Sequence, residues 1–160
     1  MIYYLIYISE ATCLMDAAEL NDILSNASVN NPEKDITGML LYIEGAFTVT
    51  GQKHLHQAVK GKFIQLLEGS EQGVKDTFKM IKLDERHCNI IIMKEGLVAQ
   101  RYFGDWSMGF NRYQVNDEGE LENYSDVKHD FLNQPMSSED KGPHLFLKSF
   151  YQMARSRAIL

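Results

Sequence analysis

Two cysteines, Cys13 and Cys88, are all that the 160 residues contain. They lie far apart, so no disulfide framework is readable and a reduced, cytoplasmic setting is expected. No apolar run approaches the roughly eighteen residues that would span a bilayer, which argues against a membrane partner. Basic residues are the minority: 16 Lys and Arg against 22 Asp and Glu give a formal net charge of −6. No basic face is clustered, so nucleic acid is not an expected partner either. His54 and His56 lack a third ligand at metal spacing, and no GxGxxG dinucleotide fingerprint occurs, so no metal site and no oxidoreductase chemistry are read here. The opening Met1–Ser9 has neither a basic start nor a small-residue cleavage site, and its Tyr and Ile content reads as a strand rather than an export signal.

The stretch Lys62–Gly69 (KFIQLLEG) is present and unusual. It reads as a strand buried on both faces with one carboxamide, Gln65, among its hydrophobes. An unpaired buried amide costs roughly 1–3 kcal/mol, so Gln65 must meet polar side chains or a polar ligand. Around it the pattern predicts alternating elements. Ile2–Ser9 suits a central strand. Asp16 and Glu19 form a capping box for a helix with Ala17, Leu20, Ile23, Leu24 and Ala27 on one face, ending at Asn30-Asn31-Pro32. Ile36–Ile43 is a second strand, with Gly38 marking a close approach. Ser70 caps a second helix carrying Val74, Phe78 and Ile81. Asn89–Leu97 is a fourth strand, and Gln100–Phe110 an edge strand with a bulge at Gly104.

The order is βαββαββ, an α+β, ferredoxin-like arrangement: a five-stranded mixed sheet with two helices on one face. Residues 46–61 are an inserted loop between the second and third strands. From Asn111 the composition turns polar and acidic and reads as a linker, followed by helices over Asp126–Asn133 and His144–Ile159. The last helix carries the apolar stripe Leu147, Phe150, Tyr151 and Ala154, which must cover the bare sheet face or dock on another chain.

Tyr7, the Asn30-Asn31 pair and Gln65 would meet between the two helices. A carboxamide offers donors and an acceptor on one small plane, which suits the alternating donor and acceptor edge of a flavin ring. The motifs LIYIS, NNPEKDITGMLLYIEG, KFIQLLEG, DERH and RYFGDWSMGF together resemble the BLUF domain, the flavin-binding sensor of blue light, from Met1 to about Phe110. The resemblance implies non-covalently bound FAD, Tyr7 as electron donor, and Gln65 as the amide whose hydrogen bonds rearrange on excitation. It makes Asn31 the residue that fixes the ring, with Asn30 beside it, and places Arg86 and His87 toward the phosphate and adenine end. Trp106 and Met108 would be the fifth-strand pair, one of them near Gln65.

It further implies a photoreceptor without enzymatic turnover; a chain too short for a cyclase or phosphodiesterase domain as well is expected to signal to a separate effector protein through residues 111–160, the linker and C-terminal helical extension, and the apolar stripe of the last helix suits a homo-oligomer. The family joins its second and third strands directly, so the insert raises an alternative: an interaction or scaffold domain that has lost flavin binding. A register slip of one residue would turn Gln65 to the opposite face.

Overall fold

The computed structural model of the chain describes residues 1–48, 56–104, 106–115, 121–125 and 142–158. In chain order the elements are β1 (Ile2–Ala11), α1 (Ala17–Glu33), β2 (Thr37–Thr48), β3 (His56–Gly69), α2 (Glu71–Ile81), β4 (His87–Val98), β5 (Trp106–Val115), β6 (Leu121–Ser125) and α3 (Leu145–Ala158). They build one mixed sheet in the order β4-β1-β3-β2-β5-β6. Every neighbouring pair is antiparallel except β2 with β5.

Alternation along the central strands divides the apolar residues between two faces. Tyr3, Leu5, Tyr7 and Leu67 pack with Ile36, Val74 and Phe78 of the α2 side, and Leu40, Tyr42 and Phe63 pack with Met15 and Leu20 of the α1 side. On the opposite face Tyr4, Ile6, Met39, Leu41, Ile64 and Leu66 meet Phe103 and Leu147, with Phe146 and Phe150 packed against them. The C-terminal stripe therefore docks on its own sheet. Tyr151 and Ala154 have side chains outside the described residues, as has the whole expected helix over Asp126–Asn133.

Both helix starts form as read. The Asp16 amide donates to Glu19 Oε2 and the Glu19 amide to Asp16 Oδ1, each at 2.8 Å, and the Ser70 hydroxyl accepts from the Gly73 amide at 3.1 Å. The expected stop before Pro32 does not occur. α1 runs on to Glu33, because a proline in the last turn removes one N–H and leaves the rest of that turn intact. The chain turns instead at Asp35, in the left-handed region at φ 53°, while the Asn31 carbonyl accepts from the Lys34 and Ile36 amides at 3.1 and 2.8 Å.

Three further expectations change. The sheet has six strands, not five: β6 pairs Leu121–Ser125 with Val115–Asn111 of β5. The polar composition read there as a linker is compatible with an edge strand, because the ladder uses the main chain. Second, β5 begins at Trp106, is not the edge, and Gly104 is not a bulge within it. The amides of Tyr102 and Phe103 instead donate to the Glu68 carboxylate at 3.0–3.1 Å, which removes them from the ladder.

Third, the insert is not simply a loop. Gly45–Thr48 pair with Val59–His56 and lengthen the β2-β3 hairpin, which satisfies main-chain groups that a loop would leave to water. Residues 49–55, including His54, lie outside the described residues. The arm's register differs by one from that of the sheet. Ile43 faces Lys62 but Gly45 faces Val59, so Lys60 and Gly61 together oppose Glu44 in a bulge. Gly61 lies flat against Tyr42, where an added Cβ would overlap the ring. The slip is thus absorbed before Gln65, which keeps Tyr7 and Leu40 as its cross-strand neighbours.

Candidate functional site

On the helix face, α1 and α2 leave a cavity of about 210 Å³ above the middle of β1, β2 and β3. Its walls are aliphatic and aromatic (Ile23, Leu40, Phe63, Ile81), with polar groups from β1, α1 and its end, β3, α2 and the segment entering β4: Tyr7, Asn26, Asn30, Asn31, Lys34, Gln65, Thr77, Asp84, Arg86 and His87. Tyr7 and Gln65 meet because β1 and β3 are hydrogen-bonded partners and place these two residues directly opposite each other. The Tyr7 hydroxyl donates to Gln65 Oε1. Both are buried, at 3% and 4% exposure. Burial pushes the Tyr7 phenol well above its ordinary pKa, and the charge of Asp84 adds to the rise, so the phenol carries its proton and acts as a donor.

With its oxygen taken by Tyr7, the Gln65 amide nitrogen has no hydrogen-bond partner among the described residues. The same holds for the carboxamide of Asn31, which is 6% exposed. Asn30, next along α1, is exposed at the rim. The Thr77 hydroxyl, on the cavity side of α2, is shielded and equally without a partner. Such groups ask for a ligand that alternates donors and acceptors along a narrow edge and presents apolar faces to Ile23 and Ile81. A flavin ring has that character, and the donor set fits it.

The charged end is organised differently. Arg86 forks onto Asp84, with Nε to Oδ1 at 2.9 Å and the second terminal nitrogen to Oδ2 at 2.6 Å, and reaches Asp22 on α1 at 3.0 Å. The Arg86 hydrogen bond holds the Asp84 carboxyl below its usual range against the opposing effect of burial. His87 is fixed at both ring nitrogens: Nε2 donates to the Ile81 carbonyl at 2.7 Å and Nδ1 meets the Ser9 hydroxyl at 2.8 Å. This ring ties β4 to β1 and to the end of α2. Lys34 brings a further cation to the rim.

Six of the residues singled out from sequence, Tyr7, Asn30, Asn31, Gln65, Arg86 and His87, line this one cavity. For Trp106 and Met108 the strand register alone is described: Met108 pairs with Leu40, which itself faces Gln65, and Trp106 pairs with Gly38. Sequence reasoning missed Ser9, Asn26, Lys34, Thr77 and Asp84. Ser9, Lys34 and Asp84 lie inside quoted motifs. Thr77 was detectable as the polar residue three positions beyond Val74 on the apolar face of α2. The cavity is open and Gln65 faces it, which goes against the reading of a scaffold domain whose pocket the insert has spoiled. No group of three or more metal-ligating side chains occurs among the described residues, nor does any helix there long and apolar enough to cross a membrane.

A model of the family described as BLUF, sensors of blue-light using FAD, matches residues 2–54 and 48–109. The two matched ranges overlap at residues 48–54, inside the inserted segment. The photoactivated adenylate cyclase subunit beta of Euglena longa is 29% identical over 105 residues, 65% of this chain and 10% of that protein. The chain therefore spans about a tenth of that relative's length. The solved structure of a bacterial light-regulated adenylyl cyclase is similar over 98% of this chain and 34% of its own, at 25% identity and a TM-score of 0.56. That of BlrB, a BLUF protein in its dark state, matches 97% of this chain and 96% of its own with a TM-score of 0.57; at 24% identity this likeness concerns the fold alone.

Proposed function

The chain belongs to the BLUF family, the sensors of blue light using FAD, and on that premise we propose that Tyr7 and Gln65 are its photochemical pair and that the signal passes to a separate effector protein. Bound FAD supplies the absorption of blue light and an acceptor for one electron. Tyr7 would give up the electron, and its phenolic proton would pass along the hydrogen bond to Gln65 Oε1 while the amide releases one N–H proton toward the reduced ring, so that charge balances. The Gln65 carboxamide then reorganises, and its free N–H donors are the groups that can change partner. Asn31 holds the polar edge of the ring and Asn30 closes the rim beside it. Arg86 and His87 would hold the phosphate and adenine end, with Arg86 charge-compensated by Asp84 and Asp22. One of Trp106 and Met108, which pair with Gly38 and Leu40 of β2, would report the state of Gln65.

No turnover is assigned to the chain itself. The Euglena longa relative is named as a cyclase subunit. Here the effector is proposed to be another protein that reads the outer sheet face, α3 and the segment from residue 111, in a homo-oligomer. Residues 1–110 are the sensing unit and 111–160 the output. A light-driven change can bias that output only through contacts that differ between the two states.

The single observation that carries this reading is the Tyr7–Gln65 hydrogen bond at the wall of a cavity that the Gln65 and Asn31 carboxamides also line. The test is the absorption spectrum of the FAD-loaded chain in darkness and under blue light. A reversible red shift of the flavin band is expected in the wild type. Tyr7→Phe should retain FAD and lose the shift, and a normal shift in that variant would reject the role of Tyr7.

A further inference from the structure

α2 turns a narrow face to the sheet. Val74, Thr77 and Phe78 are its buried residues, at the three- and four-residue spacing of one helical stripe. Val74 and Phe78 have apolar partners in the cluster around Tyr7. Thr77 differs: it is 5% exposed, it lines the cavity, and its hydroxyl has no hydrogen-bond partner among the described residues. A valine there would have the same branched shape without burying a polar atom. Buried hydroxyls are ordinarily satisfied; with the cavity empty this oxygen is shielded from it, and the second χ1 rotamer open to a helical threonine would turn it toward the cavity that the residue lines. Across that space stand Gln65 and Asn31, whose carboxamides are also unspent.

We infer that Thr77 is a cofactor-binding residue whose hydroxyl hydrogen-bonds a polar atom of the bound flavin from the α2 side. The inference rests on the flavin reading above and adds a contact on the wall opposite the β3 amide. Its consequence is a reversal of sign. In the apo-protein the Thr77 hydroxyl is a liability, and in the loaded protein it is an asset.

Thr77→Val and Thr77→Ser test this through thermal unfolding of the apo-protein and FAD titration followed by flavin fluorescence. Replacing the hydroxyl by a methyl should raise the apo midpoint by about 2–4 °C and weaken FAD binding about 2- to 10-fold. Thr77→Ser, which keeps the hydroxyl, should bind FAD at nearly wild-type affinity. Thr77→Val with undiminished FAD affinity would overturn the inference, and so would a less stable apo-protein, which would mean that the hydroxyl is satisfied within the fold. If the wild type itself takes up no FAD, the flavin reading fails; if the wild type binds and Thr77→Val binds equally, only the role of Thr77 does.

Discussion

Gln65 and Glu68 are three residues apart on β3, both buried and polar, and they face opposite sides of the sheet. On the α3 side Glu68 has no exposure at all, and its carboxylate accepts the amides of Tyr102 at 3.0 Å and Phe103 at 3.1 Å. Arg101 closes the corner, donating to the Glu68 carbonyl, the Thr37 hydroxyl and Asp35. Gln65 has one partner, Tyr7, and a donor group aimed into a cavity. The closed set joins β3 to the segment before β5 and, through Phe103, to Leu147 of α3. The open set is available to something that comes and goes. One strand thus carries a polar group that the fold satisfies on one face and one that it leaves open on the other, and what separates them is whether the chain answers the group by itself.

Stability should register that difference first. Glu68→Leu strands two main-chain amides, and the expected loss in the apo-protein is about 2–4 kcal/mol by urea denaturation. Gln65→Leu should cost the apo-protein about 1 kcal/mol or less, since the cavity lets water replace the amide at Tyr7. Equal losses would erase the contrast. Next in size is Gly61→Ala, which pushes a methyl into the Tyr42 ring at a cost of about 1–3 kcal/mol. Because that bulge keeps Gln65 in register, the variant should also lose FAD affinity, whereas an alanine at exposed Gly104, which has open space around it, should not.

The smallest effect is pH dependence. Burial raises the Glu68 pKa above 4.5, opposed by the Tyr102 and Phe103 amides and by Arg101. Between 4.5 and the raised value the folded protein holds a proton that the unfolded chain has released, so stability falls as pH rises through that window. Relative to Glu68→Gln, the wild type should therefore gain stability on acidification from neutrality toward pH 4.5. Asp84, held low by Arg86, works the other way: its contribution is present above 3.8 and is lost on further acidification. A flat difference between wild type and Glu68→Gln would mean that the amides and Arg101 outweigh burial.

Much of this arrangement was legible in the residues. The capping box at Asp16, the Ser70 cap, the close approach at Gly38 and the convergence of Tyr7, Asn31 and Gln65 are local signals or follow from strand pairing. What escaped depended on contacts remote in sequence. The break before Trp106 arises because Glu68, on another strand, takes the Tyr102 and Phe103 amides. The extended arm and β6 are main-chain ladders with little apolar pattern to announce them. Pro32 misled because a proline in a final helical turn sacrifices one bond rather than the turn. Thr77 carried a readable sign, a polar residue on an apolar stripe, but its lack of a partner is a fact of three-dimensional surroundings.

The most direct test compares the light-minus-dark absorption difference of FAD-loaded Gln65→Leu and Glu68→Gln. On the proposed assignment the open carboxamide is the group that responds to light, so the red shift should vanish in Gln65→Leu and persist in Glu68→Gln. A red shift that survives in Gln65→Leu would contradict the account.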